Sequence, residues 1–434
     1  MLMNKKFKSI DGYFEKNLVI DEIKNLNYKK KKKINSIVGK GNSISKIPFV
    51  EDVELTNVNL SNYYKLNKKK NSLEVNANAS VVNVHNFLLK EGYFAPYFPS
   101  YPLVTIGACI ANGSHGISPK NGLFNDYVES IKIYNPNFGF KELSKKKNQK
   151  LFLLTKSGLG LTGIILSAKI KVKKLSGTLI KIKKYDFNDI FKCYEFMKKS
   201  KHIYNQNSFT VDAFSKKIFK GRLITGEIVN KKNKIQILKE KKIPIFRIGL
   251  LSSNILKSLI FRMIFFLENI KIFLKDTQHL NDILFTSNKR TSYFFLMSKK
   301  FVEHQVIIPH KYVRKYLTEL EILIKKNNPN ITLIHLKIFS GVSKNLEFNG
   351  NGLALAMHIN NNNSFKLFFE KLIKLDKKFS CKVCIYKNSE INLKLAKYYY
   401  NSKLKNFKKS IDRINTKYKF TNNLFGKNIN DKII

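Results

Sequence analysis

Two short stretches of this sequence carry residue types at spacings that suit chemistry. Gly39-Lys-Gly-Asn-Ser43 follows a strand-like Asn35-Ser-Ile-Val38 and runs on through Ile44 to Ser45. Glycines let the backbone approach an anion closely, successive amide N–H groups can aim inward, and the serine hydroxyl adds a donor. Such a loop can wrap a phosphate, although an ordinary surface turn explains the same letters. It lacks the third glycine and the following helix of a Rossmann fingerprint, which disfavours nicotinamide dinucleotide binding in that style. The second stretch, Thr105-Ile-Gly-Ala-Cys-Ile-Ala-Asn-Gly-Ser-His-Gly116, sets six small residues around one imidazole. A turn accounts for the glycines but not for so little side-chain volume over a dozen positions. A flat cofactor against the backbone accounts for both, and His115 would then face its ring or its pyrophosphate.

Cys381-Lys-Val-Cys384 has the spacing of a metal or redox pair, yet no second pair or neighbouring His completes a zinc site. In the alternating pattern around it the two thiols would face opposite sides of a strand. Four cysteines in 434 residues make no disulfide framework and fit a reducing, cytoplasmic setting.

The elements that must hold these stretches divide into two styles. In the first, Ser72 to Ala77 alternates as a strand, Ala79 to Lys90 has helical spacing with Gly92 just past its end, and Glu129 to Tyr134 and Gly163 to Val172 are period-two strands. From about Thr178 longer strands and helices take over. Strand-like segments fall at Ser292 to Met297, His304 to Pro309, Thr332 to Phe339 and Gly352 to Ile359, with helices at Lys311 to Lys325 and Ser364 to Lys378. This order suits an antiparallel sheet flanked by helices.

A length of 434 residues and a hydrophobic fraction of 43% describe a folded chain of two or three domains. The net charge of +50 could serve nucleic acid by counterion release. Lys greatly outnumbers Arg, however, and Asn and Ile are abundant while Trp is absent, as an AT-rich genome would produce. A nucleic-acid groove would favour the planar fork of Arg, so nucleic acid is the less favoured partner. The charge still attracts anionic lipid headgroups and phosphorylated substrates. The first residues lack the apolar core of a signal peptide. The most apolar stretch, Ile248 to Leu274, is interrupted by Lys257, Arg262, Glu268 and Lys271, too often for a spanning helix. Its spacing fits an amphipathic helix, either a core helix or one lying on a membrane surface.

The two chemical stretches, taken with Gly122-Leu-Phe-Asn-Asp-Tyr-Val-Glu-Ser130, Leu151-Phe-Leu-Leu-Thr155 and Ser157-Gly-Leu-Gly-Leu-Thr-Gly-Ile-Ile165, resemble the PCMH-type flavoproteins, whose FAD domain is shared with vanillyl-alcohol oxidase and murein precursor reductase. Within that superfamily they are most similar to the decaprenylphosphoryl-β-D-ribose 2-oxidases. Phe301 to Pro309, His335 to Gly341 and Val383 to Ser389 extend the likeness patchily through the second half. The resemblance implies an α+β fold: a two-part FAD-binding domain (1–177, with a C-terminal return at 379–434) and an inserted substrate domain (178–378) built on an antiparallel sheet flanked by helices.

It also implies roles. Gly39, Lys40, Gly41, Asn42, Ser43, Ile44 and Ser45 would hold the FAD pyrophosphate. Thr105, Ile106, Gly107, Ala108, Asn112, Gly113, Ser114 and His115 would form the other wall, with Ile164 touching FAD through its backbone. Cys384 stands at a flavin-contacting position where the family has Tyr. Lys387, near flavin and substrate, would join His115 in catalysis, and Gln305 and Lys337 would line the substrate side. Asn42 occupies the position where relatives with covalent flavin often carry His, so the FAD should be non-covalent. Ile117 stands where a basic residue is expected, and Gly352 to Ile359 lacks polar residues that those oxidases use. The implied activity is oxidation of a ring hydroxyl in a polyprenyl-phospho-pentose, with a short-chain reductase partner completing an epimerisation for a cell-envelope glycan, at the inner face of the membrane. An aldonolactone or alditol oxidase is the alternative, although its typical C-terminal His-Trp-Gly-Lys is missing here. A basic membrane- or nucleic-acid-binding protein on an inactive flavin fold is the other class.

Overall fold

In the computed structural model the described residues are the strands at 4–8 and 14–20 and residues 34–426. The latter exclude 42, 44, 46, 51–52, 54, 59, 212–218, 231–233, 240–247, 287–294, 297–300, 343–344, 362–363 and, within 253–275, all but 256, 259 and 263. Among the described residues the strands form three sheets and one small ribbon.

The first sheet holds β1 (Asn4–Lys8), β2 (Phe14–Ile20), β3 (Ile34–Ile37), β4 (Leu55–Val58) and β20 (Lys419–Thr421), in the order β1-β2-β4-β3-β20. β3 runs parallel to both β4 and β20, so the last strand lies directly beside the strand that enters the glycine loop. The second sheet is antiparallel, ordered β5 (Tyr64–Asn67), β6 (Ser72–Asn76), β10 (Ile164–Lys171), β8 (Val128–Asn135), β9 (Gly139–Ser144). Helices α1 (Val81–Lys90), α2 (Ile106–Asn112) and α3 (Gln149–Thr155) share its core, where Leu73, Val75, Val84, Leu88, Ile110, Ile131 and Phe152 are all buried. The ribbon pairs β7 (Tyr93–Phe94) with β11 (Lys173–Lys174).

The third sheet is antiparallel throughout. It comprises β12 (Leu179–Phe187), β13 (Gln206–Val211), β14 (Gly221–Val229), β15 (Thr277–His279), β16 (Phe301–Pro309), β17 (Ile331–Phe339), β18 (Gly352–Asn360) and β19 (Lys382–Val383), ordered β15-β12-β14-β13-β17-β18-β16-β19. Side chains alternate across a strand, and the two faces of this sheet differ sharply. Val302, Val306 and Ile308 of β16, Leu353, Leu355 and Met357 of β18, and Ile334, Leu336 and Ile338 of β17 face one core. Onto that face pack α4 (Ile190–Ser200), α6 (Val313–Asn327), α7 (Phe365–Lys378) and α8 (Leu393–Ile414). In α7 the residues Phe365, Phe368, Phe369, Leu372 and Ile373 recur at helical spacing, one turn above another, and bury as a stripe. The opposite face presents Glu303, Gln305 and Ile307 on β16, Ala354 and Ala356 on β18, and His335, Lys337 and Phe339 on β17. That face turns toward the second-sheet half, and Leu123 from that half packs with Ile307, Phe339 and Ala354.

The strands and helices expected around the two chemical stretches are present within a residue or two. Ser292 to Met297 departs from expectation: Phe295 and Leu296 are helical rather than extended, and the rest lies outside the described residues. Most of the apolar stretch 248–274 lies outside them as well. Within it Leu251 is fully buried, while Leu256, Leu259 and Met263, all helical, are 41%, 58% and 57% exposed. Among the described residues no helix is long and apolar enough to cross a membrane.

Candidate functional site

The glycine loop leaves β3 through Val38, whose N–H donates to Thr56 O at 2.9 Å. Gly41 takes a φ of 68°, a conformation glycine adopts without cost. A Cβ built at Gly39 would stand 3.0 Å from Thr105 Oγ1 and 3.5 Å from Ala108 Cβ. The loop and the first turn of α2 are therefore two walls of one crevice, and only a residue without a side chain fits between them. Thr105 caps α2, its Oγ1 accepting from the Ala108 N–H at 3.2 Å, a bond typically worth about 1 kcal/mol. Gly107 lies so close to Ala77 that its Cβ would sit 3.1 Å from the Ala77 Cβ. Beyond the loop, Ser43 Oγ and Ser45 Oγ are 3.1 Å apart, and Lys40 is exposed. Asn42 and Ile44 lie outside the described residues.

At the far end of α2, Gly113 is the C-cap with φ 62°, and its Cβ would meet Ser157 Oγ at 2.2 Å. This sharp exit carries the chain into Ser114, His115 and Gly116. His115 Nδ1 lies 2.7 Å from Lys337 Nζ, which also donates to Gly116 O at 3.0 Å. His115 Nε2 lies 3.4 Å from the Gln305 side-chain amide, whose Oε1 otherwise has no partner. These contacts define the tautomer. With the ammonium of Lys337 donating to Nδ1, the ring hydrogen belongs on Nε2, and the Gln305 amide satisfies it once turned so that its oxygen accepts. Phe339, Phe348 and Tyr386 surround the imidazole at ring-centroid distances of 5.3, 5.8 and 6.5 Å.

Lys337 and Gln305 reach the same imidazole because of strand register. Lys337 is paired with Ala354 and Gln305 with Ala356, so two alanines of the intervening β18 separate them. The small side chains leave space above the sheet between the two polar groups. Past β19, Cys384 N–H donates to Gln305 O at 2.7 Å and begins a tight turn that carries Tyr386 and Lys387.

The electrostatics follow from burial. Burial holds His115 well below the usual imidazole range, and the charges of Lys337 and Lys387 push it lower still. Burial likewise pulls the Lys337 ammonium well below the ordinary lysine range, with Lys387 adding to the effect. The pair therefore shares little affinity for an extra proton, and His115 stays neutral. Burial raises the Cys384 thiol to about 12, which leaves it protonated and unreactive. Burial also pushes the Glu303 carboxyl up, but the hydrogen bond and charge of His358 and the nearby Lys387 outweigh it, so Glu303 is held below its ordinary value.

Of the residues singled out from sequence, the structure brings His115, Gln305, Lys337, Cys384 and Lys387 together, and sets Gly39 against Thr105 and Ala108. Ile164 stands apart from the His115 cluster. It is buried in a small core with Val58, Tyr134, Leu166 and Phe420, just after Gly163, whose φ is 131°. The sequence reasoning missed Tyr386, Phe339, Phe348 and the Glu303–His358 pair. The alternation of Glu303 and Gln305 on one strand was the available signal for the last of these.

The crevice fits a flavin dinucleotide. The glycine loop would offer close backbone, two serine hydroxyls and a lysine to a pyrophosphate, and α2 a wall of small residues. At the other end, the Tyr386 hydroxyl and the Gln305 amide offer buried polar atoms lacking normal partners.

Comparison with known proteins agrees. Residues 21–138 match the FAD binding domain family. The match supports FAD as the cofactor. The chain is 30% identical to D-arabinono-1,4-lactone oxidase of Candida glabrata over 89 residues, 20% of this chain and 17% of that protein. It is 24% identical to bovine L-gulonolactone oxidase over 135 residues, 31% of each chain. It is 29% identical to decaprenylphosphoryl-beta-D-ribose oxidase of Mycolicibacterium smegmatis over 115 residues, 26% of this chain and 25% of that one. The chain thus spans less than a third of the length of the relatives it matches.

Proposed function

We propose that this chain is an FAD-dependent oxidoreductase that oxidises a hydroxyl of a sugar or sugar lactone. The observation that carries the reading is the neutral imidazole of His115, held between Lys337 and Gln305 on the polar face of the third sheet, with Lys387 on the adjacent turn. Bound FAD supplies the hydride acceptor. The chain itself must then orient the hydroxyl and accept its proton. The Gln305 amide, once its oxygen serves His115, keeps its NH2 for a substrate oxygen. Neutral His115, kept unprotonated by burial and by the two lysine charges, takes the hydroxyl proton at Nδ1 when the Lys337 ammonium turns from it to the substrate oxygen, as the carbonyl forms. The Lys387 charge would offset negative charge gained by the reduced cofactor.

We read residues 178–378 as the substrate domain and 379–434 as the return to the FAD-binding part, with polyprenyl-phospho-pentose as the substrate and a short-chain reductase as the consuming partner. The exposed Leu256, Leu259 and Met263 and the charge of +50 support attachment to an anionic membrane surface. A second reading, an aldonolactone oxidase, is favoured by the likeness to D-arabinono-1,4-lactone and L-gulonolactone oxidases. Anaerobic bleaching of the flavin absorbance decides between them. Bleaching by a polyprenyl-phosphoryl pentose and not by aldonolactones supports the first. Bleaching by lactones alone replaces it with the second, and bleaching by neither class overturns both.

A further inference from the structure

On the helix-covered side of the third sheet lies a chain of buried polar groups that the proposed chemistry does not use. Asp376 of α7 is fully buried and accepts three hydrogen bonds: from Tyr316 OH of α6 at 2.7 Å, from Tyr399 OH of α8 at 2.6 Å, and from His304 Nε2 at 2.8 Å. A buried carboxylate requires donors, so the ring hydrogen of His304 is fixed on Nε2. His304 Nδ1 is then an acceptor, and Asn388 Nδ2 lies 2.9 Å from it. The orientation of the Asn388 amide is fixed independently, because its Oδ1 accepts the Glu390 N–H at 3.0 Å. Every link has one permitted direction, each donor pointing toward Asp376: the two tyrosine hydroxyls directly, and Asn388 through His304.

Asn388 closes the turn that begins at Cys384. Its own N–H donates to Cys384 O at 3.0 Å, and Lys387 N–H donates to the same oxygen at 3.3 Å. The turn is pinned to β16 on both sides: Cys384 N–H to Gln305 O at 2.7 Å, and Ser389 N–H to Glu303 O at 3.1 Å, with Ser389 Oγ accepting from Glu303 N–H at 3.2 Å. His304 lies between those two residues of β16, pointing to the opposite face. Lys387, one residue before Asn388, acts through its charge on His115, Lys337 and Glu303.

We infer that Asn388, aligned by the Asp376–His304 pair, is a positioning residue that sets where Lys387 stands relative to His115 and Lys337. The chain crosses the sheet: its rigid end lies among helices, and its working end is the turn on the polar face. Asn388 touches no reacting group in this role. It acts only through Lys387, and so the inference rests on the proposed place of Lys387 beside the flavin.

The test uses the full chain loaded with FAD and reads sulfite binding, since sulfite adds to oxidised flavin and leaves negative charge that a nearby cation stabilises. Four proteins are compared: the parent, Lys387→Met, Asn388→Leu and the double variant, each with its FAD content and unfolding midpoint. Lys387→Met should weaken sulfite binding on the order of a hundredfold and Asn388→Leu on the order of tenfold, with the double variant no weaker than Lys387→Met. A core asparagine with only a structural role would lower the midpoint and leave sulfite affinity at the parent value, which would overturn the inference. So would a loss in Asn388→Leu that persists in the Lys387→Met background. If Lys387→Met itself binds sulfite like the parent, the place of Lys387 beside the flavin has failed and the inference falls with it. Should Asn388→Leu not hold FAD, Tyr399→Phe removes one hydrogen bond from the far end of the chain. It should give a smaller loss of sulfite affinity that again vanishes without Lys387, and no loss would count against the inference.

Discussion

Lys337 and His115, 2.7 Å apart, come from opposite halves of the molecule: the lysine from the polar face of the third sheet, the histidine from the loop after α2. Both are buried, and the Lys337 charge adds to burial in lowering the tendency of His115 to carry a proton. Replacing Lys337 by Met removes one of the two cations that depress His115. The imidazole should then protonate more readily, and the acid limb of the flavin-reduction rate should move to higher pH, with the plateau falling on the order of a hundredfold. Stopped-flow flavin bleaching across pH measures both. An acid limb that stays in place would remove Lys337 from the environment of the base.

Gly39 faces Thr105 across a gap of one Cβ. A leucine there would fill the crevice between the glycine loop and α2. Gly39→Leu should fold, judged by its far-ultraviolet dichroism, yet purify without yellow colour. In the parent, acid precipitation should leave the flavin in the supernatant, because Asn42 stands where relatives with covalent flavin often carry His. Flavin retained in the washed pellet would contradict that.

His85 offers a pH test away from the site. It is fully buried on α1, with Nε2 2.7 Å from Asn281 Oδ1 on α5 (Leu280–Leu284), and burial lowers it to about 4. Its folded value lies below the unfolded value near 6.5, so the unfolded chain binds the extra proton first. Stability is therefore complete above about pH 6.5, declines as pH falls toward 4, and levels off below. Between pH 6.5 and 5 this one group should cost roughly 2 kcal/mol. His85→Gln keeps an amide donor for Asn281 and removes the titration. Its urea midpoint, lower at neutral pH, should fall less on acidification than the parent midpoint does.

Membrane attachment has its own check. Flotation with anionic liposomes should carry the protein upward at low salt and less so at high salt, because screening weakens the electrostatic part. Protein that stays at the bottom of the gradient at low salt would leave the charge of +50 without a membrane role.

What could be read from the sequence divides along a physical line. The glycine loop, the small-residue helix α2 and its exit to His115 are local features, written in consecutive residues whose volumes and conformations are restrictive. Gln305 and Lys337 were named only by the family resemblance, not by the alternation of β16 and β17. The junction itself was not legible. That Lys337 and Gln305 meet one imidazole depends on the register of β18 between them, and neither Ala354 nor Ala356 signals that in the sequence. Asp376, His304 and Asn388 come from three separate elements, and each alone looks like an ordinary polar residue. Ser292 to Met297 shows the converse error, since a short apolar run suits a strand or a buried helix equally until its neighbours are known.

The pairing of β20 with β3 places a constraint on the order of assembly. The strand that delivers the glycine loop acquires its second neighbour only from Lys419–Thr421, nearly the whole described chain later. During synthesis the glycine loop therefore waits, half-supported, while both later sheets are made. Completion of the sheet beside that loop depends on how quickly two segments far apart in the chain find each other.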